Sequence, residues 1–296
     1  MLGVWAFSPR YLLTFLFLSS LGTLAGSIWI LSSAQADHRE LDEAHLRVRA
    51  AMVRLKRTPT GQALLTQALK KWAEPSEDQL LAHIEPAETS RTDATLTRHW
   101  DPKTGKERME RTVSVYLRSD QEPDDLLLDL AHELTHAVSR SDWDPYDPDL
   151  TAVKYIRNAI EGEGGEVAAV MTECQVALEV QTQTGVSSAR CLRYRDARGK
   201  IDRQEVTLDF YRVGSWKKAL AESLGSDLGA FPLISTDRPK LFSSTGQAPY
   251  PNSLLDEYRQ INRIACDNSR RRIQNGSRRS PATASAANTF LTRRCE

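Results

Sequence analysis

Residues 131–137 read Ala-His-Glu-Leu-Thr-His-Ala, and the five central positions, His132 to His136, decide how the rest of the chain is interpreted. On a helix, positions i and i+4 lie one turn apart on the same face, so the imidazoles of His132 and His136 can reach one metal ion. Glu133 follows the first histidine and can act as a general base on a water molecule bound there. The spacing therefore predicts a zinc site with His132 and His136 as ligands and Glu133 as the catalytic carboxylate.

The flanking sequence predicts that this motif lies on a helix over Pro123–Ser139. Pro123 suits the first position of a helix, and acidic residues follow it where the helix dipole is positive. Apolar residues recur at helical spacing and predict a buried stripe: Leu127, Leu130, Ala131, Leu134 and Val138. The motif residues then lie on the flank of the helix, facing a cleft. Asp129, one turn before His132, is predicted to orient an imidazole by accepting a hydrogen bond from the ring nitrogen that does not bind the metal.

This helix and the strand predicted just before it resemble the zincin metallopeptidases over about residues 110–180. In that family, the HExxH helix lies below an antiparallel edge strand that pairs with an extended peptide substrate. The resemblance implies that the predicted strand Thr112–Arg118 (TVSVYLR) lines the cleft in this way. It also implies a Zn²⁺ cofactor and hydrolysis of peptide bonds by a zinc-bound water that Glu133 activates. Four residues are candidates for stabilising the oxyanion: Tyr146, Tyr155, Tyr211 and Arg212.

The third metal ligand decides the subclass. No histidine follows His136 in the sequence, which excludes the metzincin pattern with a third histidine downstream. A downstream glutamate remains, as in the glutamate zincins, and the chain offers Glu161, Glu163 and Glu166. Gly164-Gly165 is a plausible helix start, so Glu166 would lie in a first helical turn that holds it rigidly. Glu166 is therefore the preferred third ligand.

Glu161 is the alternative third ligand, and Glu163 ranks after it. Glu161-Gly162 resembles the Glu-Gly dipeptide that some glutamate zincins place at this ligand. None of the three glutamates has an acidic residue four positions later, so the Glu-x-x-x-Asp pattern of some family members is missing.

The N-terminus predicts export. Residues 11–30 form an apolar run after Arg10, and Ala34-Gln35-Ala36 has the small-x-small form that signal peptidases cleave. We therefore predict a signal peptide over residues 1–36. The alternative is an uncleaved membrane anchor, because residues 11–30 are just long enough to span a bilayer. The protein is then either free in the periplasm or outside the cell, or tethered to the membrane.

Four cysteines follow the predicted signal peptide, an even number that suggests two disulfides in an oxidising compartment. Three pairings are possible, and the one local in sequence is favoured, Cys174–Cys191 with Cys266–Cys295. No Cys-x-x-Cys occurs, so neither a zinc ribbon nor a thioredoxin-type redox site is indicated.

Other predicted elements surround the motif helix. Residues 37–73 are predicted to be helical, with a break at Thr58-Pro59-Thr60-Gly61. A second strand is predicted at Glu205–Tyr211. Three further helices are predicted at Val167–Val180, Trp216–Leu224 and Leu254–Ile264.

Together these patterns predict an α+β fold. A zincin-like domain over residues 90–265 is preceded by a helical segment, residues 37–89, and followed by a basic tail, residues 266–296, which is flexible unless Cys295 ties it down. The predicted function is that of an exported zinc metallopeptidase acting on an extended peptide or protein. The alternative is a non-catalytic binding protein, exported or membrane-anchored, on a zincin scaffold. Thirty-nine basic residues balance thirty-nine acidic ones, so no nucleic-acid partner is expected.

Overall fold

The computed structural model describes residues 42–101, 106–140, 144–243, 248–276 and 281–295. Its first element, α1, is a helix over residues 42–55, and α2 follows over Pro59–Trp72. Thr58 separates the two helices, because its hydroxyl accepts a hydrogen bond from the Gly61 amide and caps the N-terminus of α2. The predicted helical segment and its break are confirmed from residue 42 onward.

A sheet follows these helices and has three described strands. After the short helix α3 (Glu77–Leu80) and a 3-10 turn come β1 (Ile84–Ala87), β2 (Arg91–Asp101) and β3 (Lys106–Arg118). The order across the sheet is β1-β3-β2, with β3 parallel to β1 and antiparallel to β2. The predicted strand Thr112–Arg118 is confirmed as the second half of β3. It is the central strand, however, because β1 and β2 pair with its two sides, so it is not the edge strand that the resemblance implied.

The rest of the described chain is mainly helical, which makes the fold a mixed α+β one, as predicted. The helices are α4 (Pro123–Ser139), α5 (Ala152–Glu161), α6 (Glu166–Thr184), α7 (Ala189–Leu192), α8 (Arg203–Phe210), α9 (Lys217–Leu224), α10 (Tyr250–Gly276) and α11 (Pro281–Arg294). Short 3-10 segments, Gly214–Trp216 and Gly225–Ala230, flank α9. The helices predicted from the sequence correspond to α4, α6, α9 and part of α10.

The strand predicted at Glu205–Tyr211 is wrong, because these residues lie in α8 and at its C-cap. The side chain of Asp202 accepts hydrogen bonds from two backbone amides of the first turn and caps the helix. The buried residues of α8 are Val206, Asp209 and Phe210, at the three-to-four spacing of a helix. The apolar residues of this segment alternate in sequence, but packing against α6 overrides that pattern.

Helix α4 lies in the middle of one hydrophobic core. It contacts α2 and α6 on one side and β2 and β3 on the other. Its apolar stripe is buried together with side chains from its neighbours: Leu55, Leu65, Leu117, Leu127, Leu130, Leu134, Ile156 and Val167. The helices before residue 90 therefore share the core of the motif helix, within the unit Ala44–Glu296.

Two disulfides join elements in the second half of the chain. Cys174–Cys191 links α6 to α7, and Cys266–Cys295 links α10 to the residue that follows α11. The favoured pairing is confirmed, and two disulfides are expected of a protein exported to an oxidising compartment. The boundary predicted between residues 265 and 266 falls inside α10. The described part of the basic segment, residues 266–296, is mainly helical, and Cys295 ties its end to α10.

The predicted signal peptide and the alternative anchor, residues 1–36 and 11–30, lie outside the described residues. Among the helices of the described ranges, none is both long enough and apolar enough to cross a membrane.

The N-terminus of α2 is held by a carboxylate from α6, which gives a test of this packing. Glu179 accepts hydrogen bonds from the Thr60 amide (3.0 Å) and the Thr60 hydroxyl (2.6 Å). A carboxylate at a helix N-terminus satisfies a free amide and complements the helix dipole. We expect Glu179→Ala to lower the free energy of unfolding by ~1–2 kcal/mol in urea titrations.

Glu222→Ala is the matched control for this substitution. Glu222 pairs with Lys218 at 3.9 Å on the exposed face of α9, and exposed pairs of this kind contribute little. Equal losses of stability in the two variants would contradict the assignment of Glu179 as the residue that docks α2.

Candidate metal centre

The structure brings the two motif histidines and Glu166 together. The Nε2 atoms of His132 and His136 are 3.1 Å apart. The Glu166 carboxylate reaches both rings, with Oε2 at 3.4 Å from His132 Nε2 and Oε1 at 3.6 Å from His136 Nε2. One ligand atom from each of the three residues lies within 4.8 Å of the other two, so the group could hold a metal ion. Two nitrogens and one oxygen thus converge on one point.

The other nitrogen of each imidazole is fixed by the protein. His136 Nδ1 lies 2.7 Å from the carbonyl oxygen of Gly164. A carbonyl only accepts hydrogen bonds, so Nδ1 carries the proton and, in the neutral ring, the Nε2 lone pair points into the site. His132 Nδ1 lies 3.2 Å from Oε2 of Glu173, so in this ring too Nδ1 carries a proton and Nε2 faces the site. Holding Nδ1–H on a carbonyl or carboxylate is how proteins orient histidines that bind metals.

The charges in this group favour a cation. Burial alone would raise the pKa of Glu166, but His136 and His132 hold that pKa far below its usual value, so the carboxylate stays ionised. Burial alone would likewise lower the pKa of His132, yet the carboxylates of Glu166, Glu173 and Glu133 raise it well above 6.5. Oxygen Oε2 of Glu166 is buried and has no hydrogen-bond partner. A buried, ionised oxygen without a hydrogen-bond partner, beside two imidazole nitrogens that can each offer a lone pair, is a set of ligand atoms that fits a metal ion.

The connection between α5 and α6 places Glu166 next to α4. Glu166 is the first residue of α6, and Gly165 occupies the N-cap, which confirms the helix start predicted at Gly164-Gly165. Gly164 has a positive φ of 61°, and a Cβ atom there would lie 2.3 Å from the backbone nitrogen of Arg140 at the end of α4. Only glycine permits this close approach, which brings the Gly164 carbonyl to His136 and Glu166 to both histidines.

The two other candidates for the third ligand lie outside the group. Glu161 ends α5, where its Oε1 accepts a hydrogen bond from the hydroxyl of Tyr211 at 2.5 Å and lies 3.8 Å from Arg157. Glu163 is exposed. The geometry therefore selects Glu166 over Glu161 and Glu163.

The residue that orients His132 is Glu173, and the prediction of Asp129 for this role is wrong. Asp129 instead accepts hydrogen bonds from Ser90 (2.6 Å) and Arg190 (2.7 Å). Its oxygens are thus taken up by these donors and by the side-chain amide of Gln121, at 3.0 Å, and not by the imidazole. Glu173 follows Glu166 by seven residues, two turns of the same helix, so both carboxylates face α4. A search for acidic residues at i+7, and not only at i+4, would have found it.

Glu133 lies in the same site and is 7% exposed. The hydroxyl of Thr92 in β2 lies 2.7 Å from its Oε2 and 2.9 Å from its backbone carbonyl oxygen. Burial raises the pKa of Glu133, while the neighbouring histidines partly oppose this. A carboxylate with a raised pKa is a stronger proton acceptor than one in water.

A cavity of about 730 Å³ opens beside these residues. One wall is the start of β2 with the residue before it, Ser90 to Asp93, and the facing wall is the first part of α10, from Tyr250 to Gln260. The strand that lines the cleft is therefore β2, whereas Thr112–Arg118 had been expected there. Among the described strands, β2 pairs only with β3, so its second edge has no strand partner within the described residues.

Tyr250 is a residue of this cavity that the sequence analysis missed. It begins α10 and lines the cavity together with the four motif and ligand residues. Burial, and then the charges of Glu166 and Glu133, raise the pKa of Tyr250 well above 10, so its hydroxyl stays protonated and can donate a hydrogen bond. The distance of 114 residues from His136 hides it from local sequence patterns.

The four residues proposed for the oxyanion have other partners. Tyr146 packs on Phe290 and accepts a hydrogen bond from Asn268, Tyr155 is buried beside Tyr258, Tyr211 donates to Glu161, and Arg212 pairs with Asp209. None of them lines the 730 Å³ cavity within the described residues.

The close approach at Gly164 predicts how a substitution there changes metal binding. Gly164→Ala adds a Cβ that overlaps the end of α4, so the loop must move away from His136. We expect affinity for Zn²⁺, the ion predicted from the sequence, to fall about 10–100-fold, as it does when groups that orient ligands are lost.

Gly185→Ala is the matched control for Gly164→Ala. Gly185 has a φ of +75°, but nothing lies within 4 Å of its added Cβ. It therefore carries the backbone strain of a left-handed residue, ~1–2 kcal/mol, without the overlap. Equal Zn²⁺ affinities in the two variants, measured by competition with a chelator, would contradict the role of Gly164.

Comparison with known proteins assigns no family to this chain. No protein-family model, curated protein or solved structure matches it. A function must therefore be derived from the chain's own residues and from the geometry in which they are held.

Proposed function

We propose that the protein is an exported zinc-dependent peptidase of the zincin type, which hydrolyses bonds in extended peptides or unfolded proteins. The observation that carries the proposal is the convergence of both imidazole Nε2 atoms and the Glu166 carboxylate, while both Nδ1 atoms are held by other groups. The buried carboxylate of Glu133 lies in the same cavity.

Two histidines and one glutamate are a ligand set typical of catalytic zinc sites. Three protein ligands leave a coordination position open, whereas structural zinc sites are closed by four. A zinc ion held there supplies Lewis-acid activation of water and of the substrate carbonyl. Once a metal ion takes the place of the proton that the neighbouring carboxylates favour on His132, the two neutral rings and the ionised Glu166 carry one negative charge in total, which suits a divalent ion.

Glu133 is the proposed general base. The Thr92 hydroxyl donates a hydrogen bond to its Oε2, and Oε1 is the proposed proton acceptor. The carboxylate accepts a proton from the attacking water and delivers it to the nitrogen of the leaving amine, so the proton is conserved. The raised pKa of Glu133 favours the first transfer, because a more basic carboxylate accepts a proton from water more readily.

The proposed substrate lies along β2. Unpaired backbone amides and carbonyls of an edge strand bind an extended peptide as an added strand. Thr92 of β2 contacts Glu133 directly, so a peptide paired with this part of the strand lies next to the base. Tyr250 of α10 lines the same cavity, and its hydroxyl is the proposed donor to the oxyanion.

Three matched substitutions test the assignment of ligands and base. Glu166→Gln is expected to lose bound zinc, because it removes the charge and an oxygen donor from the centre. Glu161→Gln is expected to keep it. Glu133→Gln is expected to keep zinc but to lower the rate of cleavage of fluorescently labelled casein by about 10²–10⁴-fold, the usual contribution of a general base. Metal analysis of each purified variant measures the first two effects.

The same set distinguishes the peptidase from the alternative of a non-catalytic binding protein. Zinc binding without cleavage of casein by the unmodified protein would favour the binding protein. Zinc retained by Glu166→Gln but lost from Glu161→Gln would contradict the choice of the third ligand. A protein purified without chelators and supplied with zinc that still binds none would overturn the proposal as a whole.

Tyr250→Phe tests the proposed oxyanion donor. We expect kcat to fall by about 10²–10³-fold, as when one oxyanion donor is removed, with KM and zinc content unchanged. Tyr211→Phe is the matched control, because its hydroxyl donates to Glu161 outside the metal group. An unchanged kcat in Tyr250→Phe would exclude this tyrosine from the reaction.

A further inference from the structure

Arg190 joins the two helices that carry the metal ligands. Its Nε lies 3.0 Å from Oε1 of Glu173 on α6. One of its terminal nitrogens lies 2.7 Å from Asp129 and 3.6 Å from Asp125, both on α4. The guanidinium therefore bridges the helix of Glu166 and the helix of the two histidines.

Glu173 depends on this contact. Its side chain is only 6% exposed, and its two oxygens divide between two partners, Oε2 to His132 and Oε1 to Arg190. A buried carboxylate is costly unless it is paired and hydrogen-bonded. Without Arg190, Oε1 of Glu173 would lose its partner in a buried site, so the carboxylate would turn toward water and its contact with His132 Nδ1 would weaken.

The position of Arg190 depends on a disulfide. Arg190 lies on α7, a helix of four residues, which is too short to be stable alone. Cys191 is the one buried residue of that helix, while Leu192 is 49% exposed. Tyr194 is also buried, but it follows the helix. The bond from Cys191 to Cys174 attaches α7 to α6 at the residue next to Glu173.

Residues 173–174 of α6 are thus joined to residues 190–191 of α7 in two ways. An ion pair links Glu173 to Arg190, and a disulfide links Cys174 to Cys191. We propose that Arg190 is a positioning residue of the metal centre, held in place by the Cys174–Cys191 disulfide, and that metal affinity depends on both. The inference rests on the proposed zinc site, but it concerns affinity for the ion and not the reaction.

The experiment compares zinc affinities of the full chain by competition with a chromophoric chelator at fixed pH. Arg190→Gln is expected to weaken zinc binding about 10–100-fold, the usual effect of losing a partner that orients a ligand. Arg190→Lys keeps the charge but not the forked geometry, and should restore part of the affinity.

Arg193→Gln is the matched control for Arg190→Gln. Arg193 follows α7 directly, has a side chain 39% exposed against 40% for Arg190, and pairs with Asp209 away from the metal group. We expect its zinc affinity to stay within about twofold of the unmodified protein, because the partner of Arg193, Asp209, pairs with Arg212 and Lys240 and not with the metal group.

The role of the disulfide is tested by non-additivity. Cys174→Ala/Cys191→Ala is expected to weaken zinc binding about as much as Arg190→Gln, and adding Arg190→Gln to it should have little further effect. Cys266→Ala/Cys295→Ala removes the other disulfide, which joins α10 to the residue after α11, and should leave zinc affinity unchanged. If the first double variant does not fold, Glu173→Gln replaces it as the background for Arg190→Gln, with the same expectation.

Several results would overturn the inference. Unchanged affinity in Arg190→Gln would exclude Arg190 as a positioning residue, and so would fully additive losses in the combined variants. Equal losses in the Arg190 and Arg193 variants would show only a general effect of charge. Absence of zinc from the unmodified protein would overturn the proposed function together with this inference, so the two failures are distinguishable.

Discussion

The contact between the α5–α6 connection and the end of α4 is the constraint on which the candidate site depends. At Gly164 the backbone of this connection and that of Arg140 are too close for any side chain. This close approach brings the Gly164 carbonyl and the carboxylates of Glu166 and Glu173 next to the motif histidines. The Gly164 carbonyl holds one histidine, Glu166 faces both, and Glu173 holds the other. Helix α6 therefore carries both the candidate third ligand, Glu166, and one orienting group, Glu173, while α4 carries the two histidines.

Local patterns were sufficient for the motif helix and for Glu166. Helix α4 was predictable because its signals are local. Pro123 suits the first position of a helix, and the apolar residues recur at helical spacing along one buried face. The helix start at Glu166 was predictable because two glycines disfavour a helix interior. The disulfides were predictable once export was inferred, since four cysteines allow only three pairings.

The remaining parts of the site come from distant segments, which periodicity cannot bring together. The order β1-β3-β2 makes β2 an outer strand among the described strands, and its Thr92 contacts Glu133, but no local signal in Arg91–Asp101 indicates an edge. Tyr250 reaches the cavity only because α10 packs across it. The spacing of Asp129 predicted that it orients His132, but its oxygens accept hydrogen bonds from Arg190 and Ser90 instead.

The available edge of β2 has a consequence for the protein's own solubility. An unpaired strand edge is a template for any extended chain, including a second copy of the same strand, and such edges promote aggregation when they are flat and uncovered. Here the first part of β2 lines the cavity together with α10. Arg91 and Asp93 carry opposite charges on this part of the strand, and Arg91 Nε lies 3.1 Å from Asp93 Oδ2. Under the proposed function, this arrangement favours a single extended segment over the edge of a folded sheet, because a folded sheet brings its neighbouring strands with it.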